Sequence, residues 1–232
     1  MEQVGGRAGE ICRVLRLAIM EQALEPGTKL PEDAIGDQFG VSRTVVRRAL
    51  EALAGEELVD IRPNRGASVA KPTPQEAHDL FGVRQEIEQL VVRRVCGRLT
   101  PEQIARLEDY IAGEERALFS GSPQYIRLAA EFHVILAEMS GSRMLCRYMR
   151  QIVGRSALAL CLYGRPQWSN CSVHEHRDLL RALVDGDLER ATSLMHAHLD
   201  AVLSRALETA SGQGDRGIRD ILANYAGTLA EA

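Results

Sequence analysis

The sequence predicts a mainly α-helical protein in two parts: a small N-terminal module of short helices closed by a β-hairpin, then a C-terminal antiparallel bundle of six helices. Composition is the first observation behind this. Of 232 residues, 45% are apolar, 26% charged and only 4% aromatic, a balance that favours a foldable helical chain over sheet or disorder. The second is a break at Lys71-Pro72-Thr73-Pro74, where two prolines two apart fit neither a helix interior nor a paired strand. Beyond it, apolar residues recur at helical spacing in six successive segments. The expected domains are residues 7–70, a linker at 71–75, a bundle over 76–210, and a flexible link and tail over 211–232.

Charge and cysteine usage exclude several classes. With 28 basic and 32 acidic residues the net charge is −4, so the chain is not a polycation that coats nucleic acid, although a few placed arginines can still read one site. Only Lys29 and Lys71 of the basic residues are lysine. Cysteines 12, 96, 146, 161 and 171 are odd in number and contain no C-x-x-C pair, which fits neither a disulfide framework nor a cysteine zinc site. Met1 to Arg13 lacks an apolar signal region, and the longest uncharged apolar run, Ser156–Gly164, falls far short of the ~20 residues that span a bilayer. A cytoplasmic protein with no membrane partner is expected.

In the first module, Ile35 to Val41 reads as the end of a short helix that stops at Gly40, with Ser42 placed to cap the next. At about 100° per residue, Arg43, Thr44, Arg47, Arg48 and Glu51 share one face of that second helix, and Val46, Ala49, Leu50 and Leu53 the opposite one. A helix, a tight turn and a helix with an apolar back and an arginine front is the helix-turn-helix plan. Leu58–Ile61 and Ala67–Ala70 then alternate like two short strands around Arg62-Pro63-Asn64-Arg65-Gly66, a basic wing suited to a minor groove or phosphates.

These residues resemble the winged helix of the GntR superfamily of bacterial transcription regulators. The resemblance is carried by Pro26-Gly27-x-x-Leu30, Gly40-Val41-Ser42-Arg43-Thr44-Val45-Val46-Arg47 and Asn64-Arg65-Gly66-Ala67-x-Val69. It implies DNA contacts at Arg43, Thr44 and Arg47, with Gly66 at the wing. Arg48, Arg62 and Arg65 complete the expected DNA-binding set. Two positions depart from the family pattern: Asp33 stands where many relatives have arginine, and Arg48 where they usually have glutamate.

The bundle helices are expected at about 75–96, 101–119, 123–140, 142–163, 170–185 and 187–209. Thr100-Pro101 and Ser122-Pro123 act as starts, and Gly141 and Gly186 as stops. A flexible link over Ser211–Gly217 leads to a last segment, Ile218–Leu229, to which no role is given. Bundles build ligand sites from inward side chains, so polar residues on apolar stripes are the candidates. His133 lies with Ile126, Ala129 and Leu136; His176 with Leu179, Leu180 and Leu183; His198 with Ala191, Met195 and Val202. His196 points about 200° from His198, toward solvent. Three inward histidines are either satisfied core residues or a divalent metal set with an open position. Arg84, on the stripe of Leu80, Ile87 and Val91, needs a partner. Either Glu88 supplies it one turn on, or the arginine holds an acidic ligand.

A second resemblance covers this part. Arg84-x-x-x-Glu88, Phe132-His133, Glu175-His176 and Met195-x-x-His198-Leu199, with Gly186-Asp187 and Ala191, are similar to the FadR-type effector domain called FCD. The resemblance implies an effector site at Arg84, His133, His176 and His198, in which the three histidines hold one metal, zinc, nickel or manganese, and a small carboxylate. The family's aspartate ligand one turn before the first histidine is Ala129 here, and Glu131 points to another side. The chain is thus expected to be a dimeric transcription factor, a repressor acting at a palindromic operator under control of a small carboxylate. Three rivals are a regulator whose signal is the metal itself, an effector-free DNA-binding scaffold in which Arg84 and the histidines are structural, and a metal-dependent hydrolase. The last needs a general base, yet Glu175 lies about 100° from the His176 face and no second inward carboxylate is evident from the pattern.

Overall fold

The computed structural model describes residues 5–163 and 169–207, together with residues 218 and 222. The expected link over Ser211–Gly217 lies outside them, as does the Ile218–Leu229 segment apart from those two residues. The chain forms two compact units, Met1–Pro72 with Ser211–Ala232, and Thr73–Ala210. Among the described residues the architecture is mainly helical with one two-stranded antiparallel sheet, as expected.

In the first unit, α1 (Gly6–Met20), α2 (Glu32–Phe39) and α3 (Arg43–Gly55) precede β1 (Val59–Arg62) and β2 (Gly66–Val69). Helix α1 buries Ala8, Ile11, Cys12, Leu15, Ala18 and Ile19, an i, i+3, i+4 stripe that packs on α3. The Cys12 thiol donates to the Ala49 carbonyl at 3.3 Å. Helix α2 ends where Gly40 turns left-handed, at φ 61° and ψ 42°, a conformation that costs glycine little. Ser42 takes the extended backbone of an N-cap, but its hydroxyl makes no cap hydrogen bond. The back of α3 is Val46, Ala49, Leu50 and Leu53, all buried, as the periodicity predicts. Each leucine so buried contributes about 1.5–3 kcal/mol.

The first strand lies one residue later than the alternation predicts and the second one residue earlier, so the ladder runs one pair further into the turn. Val59 pairs with Val69, Asp60 with Ser68, Ile61 with Ala67 and Arg62 with Gly66. Gly66 at φ 73° and Asn64 at φ 60° provide the left-handed turn that lets Arg62 and Gly66 close the ladder. Val59, Ala67 and Val69 face inward, leaving Ile61 to Gly66 exposed. Gly27–Leu30 adds to the outer edge of β2 through Gly27 N–H to the Val69 carbonyl (2.9 Å), Val69 N–H to Thr28 (2.9 Å) and Leu30 N–H to Ala67 (3.0 Å).

The second unit contains α4 (Pro74–Val95), α5 (Pro101–Phe119), α6 (Gln124–Met139), α7 (Arg143–Tyr163), α8 (Ser169–Asp185) and α9 (Leu188–Leu207). All six lie within a residue or two of their expected places, and two of their starts are chemically marked, whereas the N-cap of α6 is Pro123, with no side-chain cap hydrogen bond. Thr73 and Thr100 each form a full capping box, with Glu76 and Gln103, ahead of a proline in the first turn. Gly141 and Gly186 follow their helices at φ 70° and 72°. Helices α4, α6, α7 and α9 pack on one another, while α5 joins α6 and α8. No helix among the described residues is long and apolar enough to cross a membrane, and the cysteines described, 12, 96, 146 and 161, are free. The side chain of Cys171 lies outside the described residues.

Candidate functional site

Two groups of side chains follow from this framework, one on each unit. On the first, the N-terminal half of α3 presents Arg43, Thr44, Arg47 and Arg48 to solvent. The carboxylates that meet Arg43 and Arg47 come from α2. Arg47 donates both Nε and Nη2 to the Glu32 carboxylate, each at 3.0 Å. Arg43 Nη2 donates to Asp33 at 2.6 Å, with its Nε against the other carboxylate oxygen. The hydrogen bond and charge of Arg47 hold the Glu32 carboxyl below the usual carboxylate range. The sequence marks Asp33 as unusual but gives no sign of the pairing, which comes from helix-turn-helix geometry placing the start of α2 beside the start of α3. Arg62, Arg65 and Gly66 are exposed at the wing, and Arg62 lies 4.0 Å from Asp60.

On the second unit, His133 from α6, His176 from α8 and His198 from α9 are 2%, 1% and 5% exposed. Their imidazoles converge, with ring centroids 5.3 Å apart for His133 and His176, 5.2 Å for His133 and His198, and 4.9 Å for His176 and His198. One ligand nitrogen from each lies within 4.8 Å of the other two. Phe132 stacks on His176 at 4.0 Å between centroids and limits its rotation. His196 is half exposed and pairs with Asp200.

Each of the three rings is oriented by a different carboxylate. His133 Nδ1 lies 2.5 Å from Glu88 Oε2, His176 Nδ1 2.9 Å from Glu114 Oε2, and His198 Nδ1 2.6 Å from Glu175 Oε2. A carboxylate can only accept, so it places the proton on Nδ1 and leaves each Nε2 lone pair free. His133 and His198 bring their Nε2 atoms to 3.3 Å, and the buried His176 Nε2 has no hydrogen-bond partner. Arg84 is 3% exposed and donates Nε to Glu88 Oε1 at 2.7 Å. Of the two roles open to it from spacing, the pair with Glu88 is therefore present, and that pair also aligns His133.

These carboxylates correct the expectation that no second inward carboxylate exists. Glu88 and Glu114 are 1% and 0% exposed, and Ser172 adds a hydroxyl to Glu114 at 2.8 Å. Glu114 carries a legible signal, since it falls on the apolar stripe of Leu107, Ile111 and Ala117. Glu175 does point away from the His176 face, as expected, and for that reason reaches the neighbouring helix. Glu131 is engaged by Tyr110 and Arg127 at 3.1 and 2.8 Å, and Ala129 contributes no ligand.

The residues present fit a divalent cation. Three imidazole nitrogens are a donor set that suits zinc or nickel better than manganese, and the unpartnered His176 Nε2 is costly when buried without a partner. Burial, reinforced by Arg84 and opposed by Glu88, pushes His133 down to about 3; His198 is lowered too, again chiefly by burial. For Glu88, burial disfavours ionisation, but the Arg84 charge and the hydrogen bonds from His133 and Arg84 hold it below the usual carboxylate range.

Because the fold keeps His133 and His198 neutral, the stability they give is complete above their unfolded value of about 6.5 and is lost as pH falls below it. Glu88 adds loss in the same direction below its ordinary value of 4.5. Thermal melting of metal-free protein should show the midpoint falling between pH 6.5 and 5, and falling less in His133→Gln. An unchanged midpoint across that range would contradict the buried, neutral assignment.

Comparison with known proteins gives a consistent picture. The family model described as "Bacterial regulatory proteins, gntR family" matches residues 7–69, and that described as "FCD domain" matches residues 79–201. The chain is 26% identical over 195 residues to the HTH-type transcriptional repressor RspR of Escherichia coli strain K12, covering 83% of this chain and 86% of that one. It is 26% identical over 189 residues to the Nta operon transcriptional regulator of Aminobacter aminovorans, covering 81% and 88%. In fold it matches E. coli McbR/YncC with a TM-score of 0.75, at 22% identity over 87% of this chain and 99% of that one. A putative GntR transcriptional regulator from Rhodococcus sp. RHA1 matches at 0.77, with 24% identity over 88% and 99%.

Proposed function

Since the chain belongs to the gntR family of bacterial regulatory proteins and carries the FCD domain, and is thus a DNA-binding transcriptional regulator rather than an enzyme, we propose that it is a metal-containing, effector-controlled repressor. One observation carries the effector assignment: three buried histidines with their Nδ1 atoms tied to carboxylates turn their Nε2 atoms together in the domain that follows the DNA-binding module. His133, His176 and His198 would hold one divalent ion, and Arg84 stands beside them to meet an acidic group. A bound ion would offer exchangeable positions to the oxygens of a small carboxylate, and the absence of a fourth protein ligand at Ala129 leaves one more such position.

On the DNA side, Arg43, Thr44, Arg47 and Arg48 are assigned to the major groove and Arg62, Arg65 and Gly66 to the wing contact. The protein is assigned to the cytoplasm as a homodimer, because two-fold modules match palindromic half-sites. Val83 and Leu90, 55% and 42% exposed and a heptad apart on α4, are apolar surface that a second copy would cover. Control is linkage: a carboxylate that favours one arrangement of the bundles alters operator affinity by ~1–3 kcal/mol, about 5- to 150-fold.

The test is operator binding by metal-loaded protein titrated with small hydroxy- and dicarboxylates. Release that is lost in His198→Ala, with binding in the absence of carboxylate retained, supports the proposal. Operator affinity that follows the metal alone would make the ion itself the signal. Indifference to both would contradict effector control through this centre.

A further inference from the structure

A cleft of about 210 Å³ opens on the outer side of the wing, bordered by Lys29, Asp60, Arg62, Arg65, Ser68 and Lys71. Its construction is specific. Lys29 lies on the short extended segment that pairs with β2, in a bridge opposite Ser68, and Ser68 in turn pairs with Asp60. Directly paired residues share a face of a sheet, and with Ala67 and Val69 buried, the Lys29, Ser68 and Asp60 row faces outward. Arg62 falls on the same face two residues beyond Asp60. Four cations thus border the cleft against one carboxylate, and Asp60 lies 4.0 Å from Arg62.

Several arginines elsewhere on this unit are already committed to carboxylates. Arg43 and Arg47 are paired with Asp33 and Glu32, and Arg16 with Glu56. Among the described residues, Lys29, Arg65 and Lys71 form no ion pair. Both lysines of the whole chain border this one cleft. Lysine is a compact charge on a flexible stem, suited to an oxyanion rather than to a base edge.

We infer that this cleft is a phosphodiester seat in which Lys29 and Lys71, beside Arg62 and Arg65, grip the DNA backbone flanking the site read by α3. The inference rests on the chain being a DNA-binding regulator. It divides the labour: the cleft supplies affinity independent of sequence, and the arginines of α3 exchange Glu32 and Asp33 for base edges only where the sequence rewards it.

The test is the salt dependence of binding to operator and to unrelated duplex, by fluorescence anisotropy, in wild type and in Lys29→Gln with Lys71→Gln. Both lysines are exposed, so folding should survive; Arg65→Gln gives an independent second variant. Each phosphate that the protein no longer neutralises lowers the slope of log affinity against log salt by about 0.9, so the double variant should lose about 1.8 per bound protomer, about 3.6 for a dimer on two half-sites, on both duplexes, with the ratio between them unchanged. Arg93→Gln with Arg94→Gln, the same charge change on α4, should leave the slope unaltered.

Operator binding with an unchanged slope in the double variant would overturn the cleft and leave the DNA-binding reading intact. Wild-type protein that binds no duplex would overturn both. Should inorganic phosphate saturate the wild type but not the double variant, while the slope stays the same, the cleft would be a small-anion site instead.

Discussion

Alanine at both Arg43 and Arg47 is expected to abolish sequence-specific operator binding and to leave the fold unaffected. Each bidentate arginine contact to a guanine edge is worth about 1–3 kcal/mol of discrimination, so the pair accounts for about 2–6 kcal/mol, a loss of at least about 30-fold in affinity. Glu32 and Asp33 temper the gain in the wild type, because both arginines must leave a carboxylate before they meet DNA. Stability should hardly change: the two side chains are 69% and 62% exposed, ion pairs of that exposure contribute at most about 1 kcal/mol, and α3 packs through Val46, Ala49, Leu50 and Leu53. Anisotropy with operator and scrambled duplex, alongside thermal melting, separates the two effects. Specific binding that survives both substitutions would remove α3 as the reading element.

The second large effect is expected at Glu88. Its carboxylate accepts from Arg84 through one oxygen and from His133 through the other, and all three residues are buried. Glu88→Ala leaves a guanidinium in the interior with no counter-charge, for which the usual cost is about 3–5 kcal/mol. It also frees His133 to rotate, and loss of such an outer carboxylate typically weakens metal binding by about 10- to 100-fold. Combining it with Arg84→Met should recover much of the stability, since the stranded charge is then gone, but not the alignment of His133. Urea unfolding of the single and double variants measures the first quantity, and metal titration the second. A single variant destabilised by less than about 1 kcal/mol would show that the buried pair is not what holds this end of α4 in place.

What can be read from the chain, and what cannot, divides along the range of the interactions. Helix starts at Thr73 and Thr100 are local chemistry, a hydroxyl cap, a following proline and a Glu or Gln three residues on, and so they are legible. The inward facing of His133, His176 and His198 follows from 3.6-residue spacing against apolar neighbours, again a local signal. Partner choice is different. Glu88 is legible as the neighbour of Arg84 one turn away, but its second oxygen serves His133, 45 residues later in sequence. Glu114 reaches His176 across 62 residues, a pairing set by the packing of α5 against α8. Glu175 serves His198 rather than its sequence neighbour because helical geometry turns the two residues of the pair apart. The same holds for Glu32 and Asp33, whose roles emerge only when α2 is laid against α3. In the hairpin, alternation locates both strands, while the left-handed turn at Asn64 and Gly66 carries the ladder one pair further toward the loop.

The effector assignment depends most directly on whether His133, His176 and His198 hold an ion. Elemental mass spectrometry of untagged protein, as purified and again after chelation and reloading with zinc, nickel or manganese, measures this. About one divalent ion per chain, removed by chelation, restored on reloading and absent from His176→Ala, is the expected result. A wild-type chain that takes up no metal under any of these conditions would contradict it and reduce the three histidines to buried hydrogen-bond partners of Glu88, Glu114 and Glu175.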